Sequence, residues 1–86
     1  MKIDPAKETV NRGKHSISLW DEALMDFTTA TVALDTRFAY TEDRYRAWGS
    51  IDSVLHVPAF TMRGQKLRPI SLRQANRMEV RRYGKR

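Results

Sequence analysis

The sequence predicts an α+β fold with two N-terminal helices, a small, mainly antiparallel sheet of about four strands, and a C-terminal helix. Three observations predict it. Helix-start signals and a 3.6-residue apolar period occupy the first third. Short β-branched and alternating runs fill the middle, and an arginine-loaded, helix-like stretch closes the chain. The 86 residues leave room for one domain, 1–86, and their 41% hydrophobic content argues against general disorder. There is no repeat, low-complexity segment or linker.

Asp4 followed by Pro5 reads as an N-cap and a first helical position, with Gly13 placed as the stop. Ser18 opens a second helix, with Asp21 three residues on in a capping-box-like position. Leu19, Trp20, Ala23, Leu24 and Phe27 form its apolar stripe, which reads as core. From Thr28 the pattern turns to strands: ATVALD, RYRAW, VLHVPAF and QKLRPISL, with Gly49-Ser50 and Arg63-Gly64 as turns. That last turn sets Met62 opposite Gln65 and Pro58 opposite Pro69. Neither proline can donate to the ladder, so a bulge or interruption is expected there. The final helix is expected from Arg73 or Gln74 to Tyr83, with Gly84 after it.

Charge is divided unevenly. Residues 1–43 carry five Lys/Arg against eight Asp/Glu, whereas residues 44–86 carry eleven against two, Asp52 and Glu79. A basic half attracts phosphates, or docks an acidic protein. On the last helix Arg73, Arg77 and Arg81 are spaced to share one face, with Ala75 and Met78 opposite, facing the sheet, and Glu79 within reach of Arg82 or Tyr83. By charge alone this stripe suits a solvated or partner-binding face as well as a phosphate-binding one. Lys14-His15 falls in the link between the first two helices, where a histidine suits proton transfer and a lysine suits phosphate. His56, inside an apolar run, reads as a satisfied strand residue.

Several chemistries are set aside. There is no cysteine, no HExxH spacing and hence no zinc site; there is no Gly-rich phosphate loop and no GxSxG elbow. No cofactor is implied. Nor is there a secretion signal or a run able to span a bilayer, so a soluble cytoplasmic protein is expected. RNA cleavage remains open, because the substrate's own 2′-hydroxyl attacks. The protein need only move protons and stabilise a phosphorane with cations.

These pieces resemble a known family. DPAK near the start, Asn11, Lys14-His15, Glu22-Ala23, Glu42, Arg44 and the closing LRPISLRQANRMEVRRY are similar to the BrnT toxins of BrnT–BrnA type II toxin–antitoxin modules. The end carries the most specific part, R-x-I-S-A-R-x-A-x-x-x-E-x-R-x-Y, matched by Arg68, Ile70, Ser71, Arg73, Ala75, Glu79, Arg81 and Tyr83. Leu72 stands where the motif has alanine, Ser16 where glycine usually follows KH, and Ile3 where an aromatic is common. Pro58 and Pro69 are further departures.

The resemblance implies a RelE-like ribonuclease fold and an RNA-cleaving toxin that stops translation without a metal. It also implies a BrnA-like ribbon-helix-helix antitoxin, in a heterotetramer that reaches DNA only through the antitoxin. In that picture Arg68 and Arg73 hold the scissile phosphate, and Lys14 and His15 supply charge and proton transfer. Glu79 and Tyr83 orient an arginine or shuttle a proton, while Ser71, Arg77 and Arg81 bind RNA. The alternative is a non-catalytic basic module that binds an acidic protein or nucleic acid.

Overall fold

The computed structural model describes residues 1–84, so Lys85 and Arg86 of the basic tail lie outside the described residues. Helix α1 spans Pro5–His15. It starts as expected: the Asp4 carboxylate accepts the Ala6 N–H at 2.9 Å, and Pro5 occupies the first turn. Gly13 does not stop it. The helix continues through Lys14 and His15 and ends on Ser16, whose φ of 59° is left-handed. That conformation favours glycine at a helix C-terminus.

The second helix is a short 3₁₀ helix, Leu19–Leu24. Its start is secured by Glu8 of α1 rather than by Asp21. The Ser18 hydroxyl and the Leu19 N–H both donate to the Glu8 carboxylate at 2.7 Å. A 3₁₀ helix repeats every three residues. The buried set is therefore Leu19, Glu22 and Met25, while Trp20 and Leu24 are 55% and 62% exposed. The expected apolar stripe is thus corrected: only its Leu19 is buried. Glu22 is 1% exposed, and neither carboxyl oxygen has a partner among the described residues. Burial pushes its pKa up to about 9, so it sits in the interior as a neutral acid.

Four strands follow as an antiparallel meander in the order β1-β2-β3-β4: β1 Thr31–Leu34, β2 Tyr45–Ile51, β3 Val54–Arg63 and β4 Lys66–Gln74. Leu19, Met25, Ala47, Ile51, Phe60 and Leu72 form the core between this sheet and the N-terminal segment. Gly49-Ser50 is not a turn but lies within β2. There a Cβ on Gly49 would come within 2.9 Å of the Ala30 Cβ, so glycine permits a close approach. The β2–β3 turn is Asp52-Ser53, both with positive φ (49° and 65°), as a two-residue hairpin requires.

The next turn is Gly64-Gln65, one residue later than expected, because Arg63 pairs with Lys66 and Gly64 supplies φ 61°. Met62 therefore faces Leu67, and Phe60 faces Pro69. The register then slips by one, so that Ala59 faces Ser71 and Pro58 faces Leu72, leaving Ile70 as the extra residue of a bulge. The prolines thus avoid one another. Pro58 also interrupts the other ladder, where pairing passes from Arg46↔Ala59 directly to Gly49↔His56.

Helix α2 is shorter than expected, Arg77–Tyr83. Arg73 and Gln74 still pair with Val57 and His56, and the Ala75 N–H still donates to the Leu55 carbonyl, so the chain remains in the sheet. The helix starts at a capping box. Asn76 accepts the Glu79 N–H and Glu79 accepts the Asn76 N–H, each at 2.9 Å. Gly84 closes it as expected. No described helix is long and apolar enough to cross a membrane.

Candidate functional site

The free edge of β4 is closed by a side chain. Leu72 faces outward with its backbone, and the buried Asn11 amide of α1 meets both groups. Nδ2 donates to the Leu72 carbonyl and Oδ1 accepts the Leu72 N–H, each at 2.9 Å, while Nδ2 also donates to the Ile17 carbonyl. A single asparagine thus stands in for a neighbouring strand. Leu72, where the family motif has alanine, is fully buried in the core.

Laying α1 along this edge brings its C-terminal residues beside β4. Lys14, His15, Ser71 and Arg73 line one hollow of about 460 Å³, together with Lys7 and Asn11. The histidine is held below its usual pKa of 6.5, first by burial and then by the charges of Lys14 and Arg73. It is therefore neutral at physiological pH and free to accept a proton.

Arg73 is on the last strand, so the expected helix face of Arg73, Arg77 and Arg81 does not exist. Its guanidinium instead grips Glu79 of α2 with two hydrogen bonds, at 2.7 and 3.0 Å. With the Asn76 N–H already accepted, Glu79 takes a fourth from the Trp48 indole N–H at 2.9 Å. It does not turn to Arg82 or Tyr83. The Arg73 bonds, helped by those from Asn76 and Trp48, pull its pKa down to about 2. Glu79 therefore stays ionised at neutral pH, and its two bonds fix the direction of the Arg73 guanidinium.

The remaining expected site residues are dispersed. Arg68 lines a second hollow that adjoins the first. Tyr83 stacks on Trp48 with ring centroids 4.4 Å apart and shares with Glu79 a hollow that His15 does not line. Arg77 and Arg81 are exposed on α2, and so is Met78 at 75%, not packed on the sheet. His56 is a satisfied strand residue, with Nδ1 2.7 Å from the Val54 carbonyl. Three contributors had no clear sequence signal: Glu8, Lys7 and the Trp48 that braces Glu79. The Asn76-x-x-Glu79 box was a readable one.

Fold and hollow together define a small α+β protein with a cationic, histidine-containing cleft beside one sheet edge. The chain belongs to the BrnT family: the family model described as the ribonuclease toxin, BrnT, of type II toxin–antitoxin systems matches residues 3–79. Membership makes it a ribonuclease toxin and implies a cognate antitoxin. Among curated proteins none matches the chain.

Proposed function

We propose that this toxin is an endoribonuclease that cuts RNA without a metal ion, through the hollow shared by Lys14, His15, Ser71 and Arg73. That convergence is the observation that carries the reading. His15, neutral at pH 7, takes the proton of a 2′-hydroxyl. The 2′-oxygen attacks phosphorus, the bond to the 5′-oxygen breaks, and a 2′,3′-cyclic phosphate and a 5′-hydroxyl result. Arg73, aimed by Glu79, and Lys14 hold the phosphorane's charge, and the Lys14 ammonium supplies the proton taken by the departing oxygen. Ser71 and Arg68 contact the RNA backbone, and Tyr83 braces the Trp48–Glu79 support from behind. Loss of messenger RNA halts translation in the cytoplasm. A BrnA-like ribbon-helix-helix antitoxin, in a heterotetramer, neutralises the toxin and carries any contact with operator DNA.

The test uses antitoxin-free chain and RNA in EDTA. Cleavage is expected to persist, and His15→Ala is expected to lower it about 100-fold or more with the fold intact by circular dichroism. Because burial and the charges of Lys14 and Arg73 lower the His15 pKa from 6.5, the acid limb of the rate is expected below that value. Folded wild-type chain that left RNA whole, with or without ribosomes, would instead favour the non-catalytic binding module.

A further inference from the structure

The bulge at Ile70 decides which way Arg68 faces. Arg73 pairs with Val57, Ser71 with Ala59 and Arg68 with Thr61, and these three β3 positions alternate onto one face. Paired without a bulge, with Ile70 opposite Phe60, Arg68 would fall opposite Met62 and turn to the other side. Arg73 and Arg68 thus stand on the same face, four β3 residues or about 13 Å apart. Each opens into its own hollow. The second hollow, of about 360 Å³, gathers Lys2, Lys7, Arg44, Arg63 and Arg68 against Asp4 and Glu42. It shares Asp4, Lys7 and Ile70 with the first, so the two are continuous along β4.

Its acids are already engaged. Asp4 caps α1, and Glu42 lies 3.3 Å from Arg63. Lys2, Lys7 and Arg68 enter no ion pair among the described residues. The Arg44 guanidinium lies over the Tyr40 ring at 4.4 Å, with its Nε unpartnered among the described residues. Like charges gathered in one concavity repel unless an anion joins them.

The geometry points to a second phosphate-binding subsite here, for a backbone phosphate adjacent to the scissile one, with Lys2, Lys7, Arg44 and Arg68 as its ligands. This rests on the ribonuclease reading for its substrate. The substrate class is then a single-stranded RNA longer than a dinucleotide. Two adjoining cationic hollows along one strand suit a repeating polyanion better than one small anion.

The experiment is a binding series, so that it does not depend on cleavage. Antitoxin-free chain is titrated with uncleavable 2′-O-methyl oligoribonucleotides, from di- to pentanucleotide, at several salt concentrations. The affinity is expected to rise when the probe passes the dinucleotide, and the salt slope to steepen by about 0.7 for the added phosphate. Arg68→Gln, and separately the exposed Lys2→Gln, should reduce that increment. An increment that persists in both variants overturns the subsite, as does a wild-type chain with no increment. So does equal weakening at every length. Weaker antitoxin binding with an unchanged RNA increment would assign the hollow to the protein partner and overturn it too. An increment lost in the variants of a chain that never cuts RNA would uphold the subsite and refute the ribonuclease reading alone.

Discussion

β1 and β4 are the two edges of one sheet, and they are finished in different ways. Every residue of β1 is exposed, with Val32 at 50% and Leu34 at 47%, and only its four-residue length limits the open backbone. β4 is covered by α1, has the outward backbone groups of Leu72 taken by Asn11, and is tied to α2 through Arg73 and Glu79. Polar side chains therefore carry much of the structure on the β4 side, and the cationic hollow lies on that side. A site that must hold charges in fixed positions gains from being built where satisfied polar groups already fix the backbone.

The contrast can be broken most sharply at Asn11. Asn11→Ala leaves the Leu72 N–H, the Leu72 carbonyl and the Ile17 carbonyl without their partner, and should cost about 3 kcal/mol. Thermal denaturation is expected to show a drop of more than about 10 °C. A loss as small as that of a β1 surface change would mean that the edge is not held this way.

Glu79→Gln comes next, at about 1–2 kcal/mol from the weakened grip on Arg73 and the altered cap. Its signature is pH dependence. Glu79 is held near 2 in the fold against 4.5 when free, so its contribution is complete above pH 4.5 and is lost as pH falls through 2. Acid unfolding followed by fluorescence should therefore be shallower across that interval in the variant, and an unchanged acid limb would contradict the network.

Ser16→Gly should stabilise by roughly 0.5–1 kcal/mol, because it relieves a left-handed serine at the end of α1. A urea midpoint that fell instead would show that the serine contributes something the backbone argument misses. The smallest effect is expected at the other edge. Val32→Thr, on exposed β1, should move the midpoint by less than about 0.5 kcal/mol. A large loss there would remove the distinction between the edges.

How far the sequence showed these features depended on the range of the interaction behind each one. The Asp4-Pro5 start, the four strands and the Gly84 stop are local, and all are readable from neighbouring residues. Trp20 and Leu24 misled because a 3.6-residue period was assumed where the chain forms a 3₁₀ turn. Arg73 misled for another reason: its pairing with Val57 is a contact across strands, invisible in the run SLRQANR. The Asn76-x-x-Glu79 box marked the true helix start all the same. Lys14, His15 and Arg73 could be picked out as residue types, but their meeting required α1 to lie along β4. That placement is made by Asn11 and Leu72, 61 positions apart.

The bulge at Ile70 has one more consequence, which concerns length and not chemistry. Between Ser71 and Arg68 the strand holds one residue more than its ladder needs, a slack of a single position. Deleting Ile70 would leave Ala59↔Ser71, Phe60↔Pro69 and Thr61↔Arg68 in plain alternation, with Arg68 still on the face of Ser71. Elsewhere in β4 there is no such slack, and losing Leu72 would set Ser71 and Arg73 on opposite faces although no charged group had been altered.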